Sequence, residues 1–147
     1  LRWYSSKIQE HSSLHIRVDI HGEECELDDA MKITIFRIIQ ECLNNIIKHS
    51  QATHVNIHLH FEEKGVRISV YDNGIGFDRD QVLQRRTSRP SLGLAGMEER
   101  AALLAGTVTI QSRPGFGTEV EAWIPYEHRG ATTSGRPGIQ SFEEVKQ

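Results

Sequence analysis

Three short stretches carry residue types that could do chemistry together. The first is Asp72-Asn73-Gly74-Ile75-Gly76-Phe77. An acid followed by two spaced glycines at a strand end is ordinary turn chemistry on its own, because Asp and Asn bond nearby backbone and Gly supplies positive φ. The second is a helix face on which Glu41, Asn45 and His49 are spaced i, i+4, i+8, with Lys48 beside them. A solvated helix face favours Glu, Lys, Gln and Ala, whereas this one holds Asn44 and Asn45 mid-helix, each costing about 0.5–0.7 kcal/mol against Ala. A short amide solubilises poorly but makes a fixed ligand for a cation or a phosphate oxygen. The third is Gly93-Leu94-Ala95-Gly96-Met97, two glycines at a helix start. There a ligand can approach backbone N–H groups that the helix dipole makes attractive to phosphate.

Hydrophobic periodicity supplies the elements that must position these residues. Leu14, Ile16, Val18 and Ile20 alternate with polar neighbours and predict a strand buried on one face. Asp28 or Asp29 can cap a helix over 29–49 whose apolar face is Phe36, Ile39, Leu43, Ile46 and Ile47, flanked by Ile35 and Cys42. Residues 53–61 alternate again, with Val55, Ile57, Leu59 and Phe61 inward. Glu62-Glu63-Lys64-Gly65 turns the chain into a strand over 66–71. His54, His58 and His60 point outward on the first of these strands. They raise a zinc reading, but no acid or Cys is spaced to complete it, so solvent-facing positions are the expectation. The polar stretch 78–91 carries Arg85, Arg86 and Arg89 and reads as a loop or, more sharply, a lid over a bound anion. A helix follows to about Ala105 with the stripe Leu94, Met97, Ala101, Leu104 and Ala105, closed by Gly106 as C-cap. Strands over 107–112 and 118–124 complete the pattern. The expected architecture is α/β: a two-layer sandwich with a mixed five-stranded sheet on helices.

The bulk numbers bound the function. With 147 residues the chain is one domain by length and can bury a core. A net charge of −3 gives no reason to propose nucleic acid or an anionic membrane as partner. No apolar run approaches 18 residues. Cys25 and Cys42 lack metal-ligand spacing, and a reducing, cytoplasmic setting is the default. Residues 128–147 are rich in Gly, Ser, Thr and Pro and read as a flexible tail.

Jointly, the three stretches resemble the ATP-binding domain of sensor histidine kinases, in the superfamily shared with DNA gyrase, Hsp-type chaperones and MutL. Arg37 to His49 is similar to that family's asparagine box. Ser91 to Arg100 resembles the short-lid subfamily of nitrate-responsive and DesK-like kinases. Gly115-Phe116-Gly117-Thr118-Glu119-Val120 resembles its final glycine–threonine motif. The resemblance covers roughly residues 12–126. It implies a Bergerat-type ATP-binding fold over 13–126, the end of a preceding dimerisation-helix module at 1–12, and a tail over 127–147.

It also implies roles. Asp72 accepts from the adenine amino group, with Thr118 helping through a water. Gly74 and Gly76 give the base clearance. Asn45 binds Mg²⁺ through its amide oxygen. Glu41 polarises the attacking group or a metal-bound water, and Lys48 and His49 approach the phosphates. Backbone N–H groups of the segment Gly93, Leu94, Gly96 and Met97 hold the β- and γ-phosphates. The implied function is transfer of the ATP γ-phosphoryl group to a histidine on a separate dimerisation domain of a homodimeric parent kinase. A response regulator then receives it.

Two departures stand out. No histidine sits in the acceptor context: His11 is followed by Ser12, and His49 falls in the nucleotide site. Glu98 stands where the subfamily often has a basic residue. The alternative reading is an anti-sigma-type serine kinase and binding switch of the same fold. A gyrase- or chaperone-like ATPase and a non-catalytic nucleotide-binding regulator are further rivals.

Overall fold

Alternating segments become strands and 3.6-period segments become helices in the computed structural model, which describes residues 2–84 and 93–127. The order is α1 (Arg2–His11), β1 (His15–Gly22), α2 (Asp29–Asn45), a π-helical turn (Ile46–Ser50), β2 (His54–Phe61), β3 (Gly65–Asp72), α3 (Arg79–Gln84), α4 (Leu94–Leu103), β4 (Thr107–Ser112) and β5 (Thr118–Pro125). The strands form one sheet in the order β1-β2-β3-β5-β4. β1 and β2 are parallel and the other pairs antiparallel. The parallel pair exists because α2 supplies the crossover that a tight turn cannot. The mixed five-stranded sheet with helices on one face is the expected architecture.

The core lies between the sheet and the helices α2 and α4. Ile57, Ile68, Ala122 and Ile124 from the sheet meet Met31, Ile38, Ile39, Leu43, Met97 and Ala101, all essentially inaccessible. Asp28 is the N-cap of α2, its Oδ1 accepting from the Met31 N–H at 2.8 Å. Such a cap is worth about 1 kcal/mol.

Three expectations need correction. The buried face of α2 is Met31, Ile35, Ile38, Ile39, Cys42, Leu43 and Ile46. Phe36 instead stands half-buried with its ring 5.4 Å from Tyr4 of α1, and Ile47 is exposed. The cause of the second change is the π-helical turn. It winds less per residue than an α-helix, so the α register of Glu41 and Asn45 does not continue to His49. The turn closes at Gln51, in the left-handed region at φ 53°. Finally, the left-handed residue after α4 is Ala105 (φ 54°), which is exposed, rather than Gly106. The N–H groups of Ala105 and Gly106 bond the carbonyls of Ala102 and Ala101 at 3.0 and 2.8 Å, the two bonds of a Schellman ending. Gly106 is needed for space, since a Cβ there would meet the Trp123 carbonyl and lie 2.8 Å from Ile124 Cδ1. Residues 85–92, which hold the three arginines of the stretch read as a loop or lid, and the tail, 128–147, lie outside the described residues; the first part of that stretch forms the short helix α3.

Candidate functional site

Asp72 ends β3 opposite Val55 of β2 and Thr118 of β5, so it sits mid-sheet on the helix side. It is 2% exposed. Its Oδ1 accepts from the Gly74 N–H at 2.8 Å, and the Ser50 hydroxyl also bonds its carboxylate. Burial pushes the carboxyl above the ordinary range, and those two hydrogen bonds pull part of the way back. A buried acid whose bonds are local and neutral is held for something other than an ion pair.

That acid lies at the wall of a cavity of about 230 Å³ between α2, the π-helical turn, the Asp72 turn and the start of α4. Ile46, Val70, Ile75, Phe77, Leu94 and Val120 make it chiefly apolar, and Asn45, His49, Ser50, Asp72 and Thr118 are its polar groups. A flat apolar ligand with an exocyclic donor fits this combination.

The turn is tightly fastened. Asn73 Oδ1 accepts from the N–H groups of Thr53 and His54, both at 2.9 Å, and Nδ2 donates to Thr53 Oγ1 at 3.0 Å. The Ile75 N–H bonds the Ser50 carbonyl at 2.7 Å, and the Gly115 N–H bonds the Ile75 carbonyl at 2.6 Å. Gly74 and Gly76 have a reason for being glycine that differs from base clearance. A Cβ on Gly74 would meet the Ser50 carbonyl and stand 2.6 Å from Asp72 Oδ1. One on Gly76 would meet the Arg113 carbonyl and stand 2.8 Å from that of Gly117. Their missing side chains let neighbouring backbone close the turn. Gly76 also lines the cavity, and Gly74 does not.

The other expected residues divide. Asn45, His49, Leu94 and Thr118 line the cavity. Glu41 is not among the lining residues; its carboxylate packs against Gly93, the left-handed residue (φ 65°) preceding α4, and a Cβ on Gly93 would collide with it. The asparagine-box helix and the glycine-rich helix start are thereby in contact. Lys48 is exposed and outside the cavity wall. Met97 is a core residue, fully buried with its sulfur 3.7 Å from Cys42 Sγ, so its side chain is packing rather than binding surface. Gly96 sits in the first turn of α4 outside the wall, with Arg100 Nη1 3.1 Å from where a Cβ would be. Glu98 pairs with Arg79 at 3.4 Å, tying α4 to α3.

Two serines escaped the sequence reading. Ser50 Oγ accepts from the Ala52 N–H at 3.0 Å, and its single proton is shared between the Ile46 carbonyl, at 2.9 Å, and the Asp72 carboxylate. Ser112 bonds Thr118 Oγ1 at 2.8 Å and accepts from the Phe77 N–H at 2.9 Å. Neither belongs to a periodic pattern. The only available signal was position: Ser50 directly follows His49, and Ser112 precedes the turn to Thr118.

Cys42 lines the cavity too. Burial first, and the neighbouring Glu41 carboxylate next, push its thiol up to about 12. Its thiolate is therefore scarce at pH 8, while Cys25 is exposed. Titration with a chromogenic disulfide at pH 8 should therefore show one fast thiol. The second should appear only in denaturant, and two equally fast thiols would contradict the packing at Cys42.

The comparisons with known proteins agree with this geometry. The model of the "Histidine kinase-, DNA gyrase B-, and HSP90-like ATPase" family matches residues 30–128. The chain belongs to that ATPase family. This ATPase-family chain is similar to the signal transduction histidine-protein kinase/phosphatase DegS of Brevibacillus brevis, at 31% identity over 85% of this chain and 31% of that protein. It is also similar to the sensor histidine kinase LiaS of Bacillus subtilis, at 40% identity over 62% of this chain and 24% of that protein. It thus spans about a third or less of these curated relatives. Among solved structures, the ATP-binding domain of PrrB from Mycobacterium tuberculosis superposes with TM-score 0.64 at 23% identity, covering 84% of this chain and 88% of that one. The catalytic domain of histidine kinase ThkA gives 0.64 at 18%, covering 84% and 85%. These two likenesses concern the fold of the ATPase-family domain.

Proposed function

We propose that the chain is the ATP-binding catalytic domain of a two-component sensor histidine kinase. The observation that carries this is the buried, locally bonded Asp72 carboxylate in an apolar cavity, facing the Asn45 helix across it. An adenine ring suits the apolar walls, and its amino group is a donor for Asp72. Glu41 and Gly93 mark the phosphate end, where the α4 N-terminus favours anions. Mg²⁺, when bound, neutralises phosphate charge. Asn45 is the hard oxygen ligand available to it at the cavity, and one protein ligand with phosphates and waters is a usual Mg²⁺ arrangement. Among the described residues no three acid, His or Cys side chains converge as a metal site of their own, consistent with an ion held mainly by nucleotide. To Glu41, in contact with Gly93 at the start of α4, we assign the role of orienting or deprotonating an incoming acceptor.

The kinase relatives extend the reading. The γ-phosphoryl group passes to a histidine on the parent's dimerisation domain and from there to a response regulator, in a cytoplasmic and homodimeric setting. Phosphotransfer tests it: the chain, mixed with a relative's dimerisation domain and ATP, should label a histidine, giving an acid-labile phosphate. Acid-stable phosphoserine on a partner would overturn the histidine-kinase reading in favour of a serine-kinase switch.

Asn45→Ala tests the magnesium ligand. ATP affinity measured with Mg²⁺ should fall about tenfold, the worth of about 1.4 kcal/mol, and affinity in chelator should hardly change. An unchanged Mg²⁺ dependence would remove Asn45 from the metal.

A further inference from the structure

Ser50 stands between the π-helical turn and the turn that carries Asp72. It is 8% exposed, and both its carbonyl and its hydroxyl are engaged. The carbonyl accepts from the Ile75 N–H at 2.7 Å and so fastens the turn just after Asp72. The hydroxyl oxygen accepts from the Ala52 N–H at 3.0 Å. Its one proton has two acceptors, the Ile46 carbonyl at 2.9 Å and the Asp72 carboxylate. A Cβ on Gly74 would lie 2.6 Å from Asp72 Oδ1 and 2.7 Å from Ser50 Cβ, so the two side chains flank one point of the turn.

The two acceptors are unequal. A helical serine that bonds back to the carbonyl four residues earlier makes an ordinary neutral bond. A carboxylate makes a charge-assisted bond about twice as strong. The Ala52 N–H, by donating to the same oxygen, polarises the O–H further. The proton therefore turns to Asp72 when that group is ionised and to Ile46 when it is neutral. Little else favours the anion. The other donor to it is the Gly74 N–H at 2.8 Å. Val55 and Thr118, its partners across the sheet, and Leu94 at the start of α4 carry no charge. The titratable groups that share the cavity wall are Cys42 of α2 and His49 of the π-helical turn. The Cys42 thiol, pushed up to about 12, stays neutral.

We propose that Ser50 is a positioning residue for the nucleotide base: its hydroxyl keeps Asp72 ionised at the cavity wall and so sets the lowest pH at which ATP binds well. The inference rests on the reading of Asp72 as acceptor for the adenine amino group. An ionised carboxylate only accepts, whereas a protonated one brings an O–H donor into the site. Burial raises the Asp72 carboxyl and the Ser50 bond lowers it. Ser50→Ala removes the lowering contribution alone, so Asp72 takes up its proton at a higher pH. ATP affinity then falls on acidification sooner than in the parent.

ATP dissociation constants of the whole chain are measured calorimetrically with Mg²⁺ from pH 8 to pH 5.5. The ratio of variant to parent cancels the titration of the ATP phosphates. For Ser50→Ala that ratio should grow about tenfold on acidification, the worth of one bond to a charged acceptor. Ser50→Thr keeps the hydroxyl and should give a flat ratio, whatever its level. Ser112→Ala, which loses the serine that bonds Thr118, should also give a flat ratio. Adding Ser50→Ala to Asp72→Asn should bring no pH dependence, because an amide does not titrate. In the empty domain, carbon-13 NMR should show the Asp72 carboxyl titrating at a higher pH in Ser50→Ala. A flat ratio in Ser50→Ala, or an unmoved carboxyl titration, would overturn this proposal while leaving the ATP reading in place. A rise of the same size in Ser50→Thr or Ser112→Ala would trace the effect to loosened packing and overturn it too. A parent chain that binds no ATP would overturn the reading of the site itself and this proposal with it.

Discussion

Asp72→Asn should lower ATP affinity by about 10- to 100-fold while leaving the fold intact. The variant is nearly isosteric, and the geometry dictates how its amide must sit. The Gly74 N–H points at Oδ1 from 2.8 Å, so the amide must keep its oxygen there. Its NH₂ then faces the rest of the site. The adenine amino group would meet a donor instead of an acceptor. Losing a hydrogen bond to a charged acceptor costs about 1.5–3 kcal/mol, and every 1.4 kcal/mol is tenfold. The same NH₂ would suit a guanine carbonyl, so the preference for ATP over GTP should collapse as well. Calorimetric titration with both nucleotides decides the matter; undiminished ATP affinity would remove Asp72 from the base.

The unliganded variant supplies an independent check with the opposite sign. Because burial raises the folded-state pKa of Asp72, its contribution to stability is fully present below the unfolded value of about 3.9. That contribution is lost as pH rises through the folded value. At neutral pH the carboxylate is thus a net cost to the empty domain. Asp72→Asn should melt no lower than the parent at pH 7, and any advantage should shrink toward pH 4. A lower melting temperature at pH 7 would mean that Asp72 serves the fold rather than a ligand.

The strands and the helices α2 and α4 were legible in the sequence because each buries one face, and burial writes a period of 2 or 3.6 into the residues. The site was legible for a different reason: Glu41, Asn45, Asp72 and Gly93 are residue types that periodic burial does not explain. What stayed hidden is non-local. The pairing of β1 with β2 depends on how the α2 crossover packs, so His21 and His58 gave no sign of being neighbours. In the π-helical turn Ile46 stays in the core while Ser50 bonds Asp72, an arrangement no helical wheel shows. Gly74 and Gly76 looked like clearance for a ligand, yet their nearest neighbours are the backbone of Ser50 and Arg113, segments more than 20 residues away in sequence.

The same close backbone packing predicts a large loss of stability from one methyl group. Gly117 begins the approach to β5 at φ 79°, and a Cβ there would run into the Asp72 carbonyl, with Asn73 Cα 3.3 Å away. Neither obstacle is a flexible side chain, so the strand or the turn must give way. Gly115, in the same turn, has φ 84° but no atom within 4 Å of its would-be Cβ. The pair therefore separates two effects. Gly115→Ala should cost only the left-handed conformation, about 1 kcal/mol. Gly117→Ala should cost that plus the displacement of Asp72, about 3 kcal/mol or more, of the order seen for severe core or backbone changes. Because Asp72 moves with the collision, Gly117→Ala should also weaken ATP binding under conditions where the domain remains folded, and Gly115→Ala should not. Denaturant unfolding and nucleotide titration of the two variants test this. Equal stability losses would show that the turn yields freely and that Gly117 does not hold the Asp72 carboxylate in place.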